Sequence, residues 1–140
     1  SRDNPVFYVQ YAHARICSVF RNAVEDLGEA VASPTSLSEA DFALLNDDSE
    51  IAVIKRLSQY PRLLEGAAAT REPHRVAFYL YDLASDFHAL WNKGKESPHL
   101  RFILLNNEKL SIARLALLRA IRYVLSNGLH LLGVRPVDAM

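Results

Sequence analysis

The sequence predicts an all-α fold, a helical bundle with two or three long helices. Three observations support this. Apolar residues recur at steps of three and four over long stretches, which places them on one side of a helix. Asn, Pro and Gly fall between those stretches, where helices start and stop. The only strand-like run is Phe102-Ile103-Leu104-Leu105, and one strand cannot build a sheet.

Asn4-Pro5 opens the first helix, since Asn caps well and Pro suits the first helical position. Val9, Ala12, Ile16, Val19, Ala23 and Leu27 form its inner stripe, and Gly28 and Ser33-Pro34 end it. Ser36 to Leu45 reads as a short helix capped by Ser36 or Ser38. Asp47-Asp48-Ser49-Glu50 starts another, with Ile51, Ile54 and Leu57 as its apolar set and Val53 beside them. Tyr60-Pro61 interrupts it, because proline disfavours helix in the residue before it, and Arg62 to Thr70 follows as a short helix. Glu72-Pro73 opens a long helix to about Trp91, with Val76, Leu80, Leu83, Ala84, Phe87, Leu90 and Trp91 on one face and Asn92-Lys93-Gly94 as its close. Lys95 to Asn107 reads mostly as loop. The last long helix runs from about Glu108 to Asn127, with Leu110, Ala113, Leu117, Ile121 and Val124 inward and Asn127-Gly128 as the stop. Leu129 to Leu132 adds a further turn, and residues 134–140 form a short tail.

The chain has 140 residues, 50% hydrophobic and 23% charged, which suits a single domain with a sizeable core. Cys17 is its one cysteine, so no internal disulfide forms, and a lone thiol suits a reducing, cytoplasmic setting. No run of about 18 apolar residues could span a membrane. Ser1-Arg2-Asp3-Asn4 has no basic segment leading into an apolar one, so no signal peptide is expected, and the missing initiator methionine points to a fragment. The formal net charge is +0. Nucleic-acid binders usually carry a positive surplus, so an RNA partner would have to be held by local contacts.

Two helix faces stand out away from the core. On the first helix, Phe7, Gln10, Tyr11, Ala14, Arg15, Ser18, Arg21 and Asn22 lie opposite the inner stripe. Unstacked RNA bases stack on aromatic rings and guanidinium planes. Packing of Phe7 and Tyr11 on a neighbouring element is the reading that the wheel alone favours. On the last helix, Arg119, Arg122, Tyr123 and Ser126 share a face suited to phosphate, and a solvated face with salt bridges is the plainer alternative.

No catalytic chemistry emerges. His13, His74, His88, His99 and His130 show no zinc-site spacing with Cys or carboxylate, so no metal is expected. There is no nucleophile elbow, phosphate loop or dinucleotide fingerprint. Asp47, Asp48 and Glu50 suit a helix start, where acidic residues are favoured. Cys17 lies near the edge of the inner stripe and reads as a buried, inert thiol.

The stretch Asn4-Pro5-Val6-Phe7-Tyr8-Val9-Gln10-Tyr11-Ala12-His13-Ala14-Arg15 resembles the opening of the anticodon-binding domain of bacterial-type arginyl-tRNA synthetases. Leu80-Tyr81-Asp82-Leu83-Ala84-Ser85-Asp86-Phe87-His88-Ala89-Leu90-Trp91 resembles a later helix of that domain. Residues Arg114 to Arg122 and Gly128 to Gly133 resemble its closing segment, and the tail Arg135-Pro136-Val137-Asp138-Ala139-Met140 its usual end. The resemblance spans nearly the whole chain, in family order. It implies a class I synthetase anticodon-binding domain comprising residues 1–140 that binds arginine tRNA. It implies no cofactor on this chain and contact with neither DNA nor membrane. The parent's catalytic domain, absent from this chain, would use ATP with magnesium. The resemblance carries anticodon contacts onto Tyr8, Tyr11, Arg21, Phe87 and Met140, and Arg15 joins them as a donor on the same face. Phe87 also sits centrally on the predicted inner face, so packing competes for it. The competing function is a helical protein-interaction module without RNA binding, which the neutral charge would suit. The anticodon domain of a related class I synthetase fits the first-helix motif less well.

Overall fold

In a computed structural model of the protein, which describes residues 4–140, six α-helices follow one another: α1 (Pro5–Leu27), α2 (Pro34–Ser38), α3 (Asp48–Ser58), α4 (Tyr60–Thr70), α5 (His74–Glu96) and α6 (Glu108–Leu131). Short 3-10 turns occupy Glu29–Ala32, Phe42–Leu44 and Pro98–Leu100. There is no strand among the described residues, so Phe102 to Leu105 is loop. Ser1, Arg2 and Asp3, on which the signal-peptide expectation rests, lie outside the described residues. No described helix is long and apolar enough to cross a membrane.

The three long helices carry the fold. α1, α5 and α6 each pack against the other two. At about 1.5 Å of rise per residue, each is roughly 35 Å long. Their shared core includes Val9, Ile16, Leu80, Leu83, Phe87, Leu118, Ile121 and Leu125. α3 and α4 cover α5, and α2 covers α6. The start of α1 follows its sequence signal, as the Asn4 side chain accepts a hydrogen bond of 2.9 Å from the Val6 amide.

Several boundaries depart from the sequence reading. α2 begins at Pro34 and is capped by Ser33, whose Oγ accepts from the Ser36 amide at 3.1 Å. It stops at Ser38, and a separate turn holds Phe42. α5 runs through Asn92-Lys93-Gly94 to Glu96. Gly94 is there for close approach, since a Cβ would stand 3.1 Å from the Arg101 Cα. α6 likewise continues through Gly128, where a Cβ would meet the Leu80 side chain at 2.6 Å. In both cases glycine allows contact between elements and does not end a helix.

On α3, the expected apolar set is wrong in part. Ile51 is 51% exposed, while Val53 and Glu50 are buried. The reason lies on α6. Arg114 is buried and donates from Nε to Glu50 at 3.0 Å, and from Nη1 to the carbonyls of His99 and Arg101 at 2.8 Å each. This ion pair turns the Glu50 side of α3 inward. Glu50 also completes a capping box with Asp47. Ser49 and Lys93 hydrogen-bond the Asp47 carboxylate and hold its pKa down at about 2.

Candidate nucleic-acid interface

The tail gathers the outward-facing residues of α1 into one place. Residues 135–138 lie along that helix, and three of its side chains meet the tail's backbone carbonyls. Gln10 donates to the Arg135 carbonyl at 3.0 Å, the His13 Nδ1 lies 2.7 Å from the Val137 carbonyl, and Arg21 donates to the Asp138 carbonyl at 3.3 Å. Positions 10, 13 and 21 share the side of α1 that faces the tail, which is why the chain can end beside the helix with which it began. Met140 is thereby delivered, 66% exposed, to the rim of a recess of about 320 Å³ lined also by Tyr11, Arg15, Ser18, Arg21 and Trp91.

Aromatic and guanidinium planes dominate this region. The Arg15 guanidinium lies 4.6 Å from the Tyr11 ring centre and 4.2 Å from that of Trp91, and it also donates to the Tyr11 hydroxyl. Tyr11 stacks on His88 at 5.3 Å, His88 lies 4.9 Å from Tyr8, and Tyr8 lies 4.8 Å from Tyr81. A row of rings thus runs across the seam between α1 and α5. Burial, with the Arg15 charge adding to it, lowers the His88 pKa to about 4, so the ring is neutral near pH 7. Burial raises the Tyr8 pKa, which keeps that hydroxyl protonated. The row therefore presents uncharged rings with one fixed cation, Arg15, at its end. Such a surface suits the π-faces of nucleobases.

Of the residues expected at a base-contacting site, Tyr11, Arg15, Arg21 and Met140 come together around the recess. Tyr8, half-buried, stands further along the row of rings. Phe87 does not join them. It is 0% exposed and stacks on Phe102 at 5.8 Å, so it supports His88 and Trp91 from beneath and has no surface for a base. That correction follows from its place at the centre of the α5 core face. The sequence reading missed Trp91, His88 and Tyr81 as neighbours of the site. Tyr81, Ser85 and His88 are spaced by four and three on α5, a polar and aromatic stripe beside the apolar one, and that spacing was the available signal.

A second groove lies on the other side of the tail. Its volume is about 520 Å³, and Arg21, Arg119, Arg122, Tyr123 and Ser126 line it with His13, Cys17 and Asp138. No histidine has a zinc-site spacing in the sequence, yet the fold brings one beside a cysteine and a carboxylate. His13 and Cys17 are one turn apart on α1, and the tail adds Asp138, so that their ligand atoms lie within 4.8 Å of one another. Sequence could not show this, because Asp138 is 121 residues from Cys17. The three arginines oppose a cation at this position, and His13 Nδ1 is already engaged with a carbonyl.

The family model of the DALR anticodon binding domain matches residues 9–140. The chain belongs to this family. It is 52% identical over 140 residues to an arginine–tRNA ligase from Xanthobacter autotrophicus and 56% identical over 140 residues to one from Beijerinckia indica, in each case covering 100% of this chain and 24% of the relative. It thus spans about a quarter of the length of the curated relatives it matches. A crystal structure of an arginyl tRNA synthetase from Campylobacter jejuni has the same fold, with a TM-score of 0.79 at 24% identity over 100% of this chain and 27% of that one. The all-α bundle is therefore the DALR anticodon binding domain fold.

Proposed function

We propose that this DALR domain grips the anticodon loop of an arginine tRNA, as one part of an arginine–tRNA ligase. Residues 1–140 act as a single unit, and a separate catalytic domain using ATP with magnesium joins arginine to the tRNA. The observation that carries this reading is the recess beside the middle of α1, where Arg15 lies against the faces of both Tyr11 and Trp91 and Met140 closes the rim. Flat faces and a fixed guanidinium fork can stack on a splayed base and donate hydrogen bonds to its edge. Tyr8 and Tyr11 supply stacking surface, Arg15 and Arg21 supply donors, and Met140 supplies an adaptable apolar contact.

The test is titration of the full-length protein with arginine tRNA and with a tRNA of another anticodon, at two salt concentrations. Preference for arginine tRNA is expected. Tyr11→Ala should weaken that binding by about 1–3 kcal/mol, the usual value of one stacked base. Unchanged affinity in a variant of native helicity would reject the role of Tyr11. Binding that is indifferent to salt would favour a protein-interaction module instead.

A further inference from the structure

We propose that the groove between the tail and α6 is a sugar–phosphate subsite, in which Arg21, Arg119 and Arg122 hold backbone phosphates of the RNA whose bases meet the Tyr11 recess. The proposal rests on the anticodon reading and adds a second surface, with a different job, to it.

Four observations carry it. First, Arg119, Arg122, Tyr123 and Ser126 recur at helical spacing on the outer face of α6, and the structure sets Arg21 of α1 opposite them in one groove. Second, the plainer reading of that face required salt bridges, and among the described residues none of these three arginines has a carboxylate partner. Third, Arg122 lies over the Phe20 ring at 4.4 Å. Stacking fixes the guanidinium plane and leaves its N–H edge free to fork onto an oxyanion. Fourth, Asp138 is the one carboxylate lining the groove among the described residues, against three guanidiniums, and its side chain faces the Cys17 thiol at 3.8 Å. The local sign is therefore positive, although the chain as a whole carries +0. The hydroxyls of Tyr123 and Ser126 add neutral donors of the kind that phosphate oxygens accept.

Arg21 lines both this groove and the base recess, with the tail between them. A strand crossing the tail would place its phosphates on the α6 side and its bases on the Tyr11 side. The two surfaces would then divide the work, the arginines of α6 supplying affinity that ignores sequence and the ring cluster supplying choice.

The experiment uses two hairpin RNAs with the same stem. One carries the anticodon loop of an arginine tRNA and the other a different loop. Binding of each to the full-length protein is followed across a salt series. Arg119→Gln with Arg122→Gln should weaken both hairpins by a common factor of roughly tenfold or more, and should lower the logarithmic salt slope by about one for each phosphate no longer neutralised. Tyr11→Ala should reduce the difference between the hairpins and leave the slope alone. If the double variant loses its fold on release of the Phe20 stack, Arg119→Gln alone carries the test, since Arg119 has no part in that stack. Unchanged affinity and slope would overturn the phosphate subsite and leave the anticodon reading standing. A loss confined to the arginine hairpin would overturn it too, by making these arginines base readers. Failure of the unaltered protein to bind either hairpin would overturn both.

Discussion

Replacing Arg114 by Met tests the strongest polar interaction inside the bundle. The variant keeps an unbranched side chain but removes the guanidinium that reaches Glu50 at 3.0 Å and two carbonyls at 2.8 Å. Both Arg114 and Glu50 are buried, at 5% and 4% exposure. Glu50 would be left as a carboxylate facing an apolar side chain. Removing one partner of a buried pair costs about 3–5 kcal/mol, because the charge left behind is uncompensated. The two carbonyls that lose a donor add to this, though both lie nearer the surface, so we expect about 4 kcal/mol. A domain of this size has about 5–15 kcal/mol in all, and its melting temperature moves by about 2–4 °C per kcal/mol, which gives a fall of roughly 8–16 °C. Urea unfolding followed by circular dichroism measures the loss directly. The double variant Glu50→Gln with Arg114→Met, which removes both charges, should regain most of the stability. A single variant costing under about 1 kcal/mol, or a double variant no better than the single, would refute the reasoning that an uncompensated charge sets the cost.

Two further outcomes concern the core. His88 has a folded pKa of about 4 against an ordinary 6.5, so the unfolded chain takes up its proton first as pH falls. Its contribution is whole above about pH 6.5 and is lost as pH drops towards 4; with the shift discounted for solvent screening it amounts to about 1–2 kcal/mol. His88→Phe should flatten the urea midpoint between neutral pH and the acid end of that window, and an unaltered slope would show that His88 is not the group responsible. Gly128→Ala would set a methyl 2.6 Å from the buried Leu80 side chain. Overpacking of about 1–3 kcal/mol should exceed the roughly 1 kcal/mol gained in helix propensity, and a raised melting temperature would contradict this.

The long helices were legible because each has a continuous apolar stripe, and α1 and α6 also have a side-chain cap. Asn4-Pro5 and the run from Asp47 to Glu50 act as their sequence suggests, and Asn107 accepts from the Leu110 amide at the start of α6. What failed was the reading of residues whose role depends on a distant partner. Gly94 and Gly128 read as stops, because local sequence cannot distinguish a glycine that ends a helix from one that admits a neighbour. Glu50 read only as part of a helix start, because its partner Arg114 is 64 residues away. The site divides along the same line. Tyr11, Arg15 and Arg21 share a face of one helix and were legible from its period. Trp91 and the groove beside Arg119 and Arg122 depend on how α5, α6 and the tail close on α1, which no period records.

The neutral total charge read as an obstacle to RNA binding, and the structure shows why it is the wrong quantity. Asp82 and Asp86 are engaged by Arg56, Glu72 by Arg75, Asp47 by Lys93, and Glu50 by Arg114. Those carboxylates are matched to cations on α3, α5 and α6 that lie outside both the recess and the groove. Arg15, Arg21, Arg119 and Arg122 have no such match among the described residues. At physiological salt a charge is felt over about 8 Å, so a phosphate in the groove meets the local guanidiniums and little of the acidic surface elsewhere. Arg114 and Arg119 show the contrast within one helix. Five residues apart on α6, they point to different sides of it. The first is engaged inside by a carboxylate and two carbonyls, and the second lines the groove with no carboxylate in ion-pair contact among the described residues. Which side of the helix an arginine occupies, more than how many arginines the chain has, decides whether it holds the fold together or is free for a phosphate.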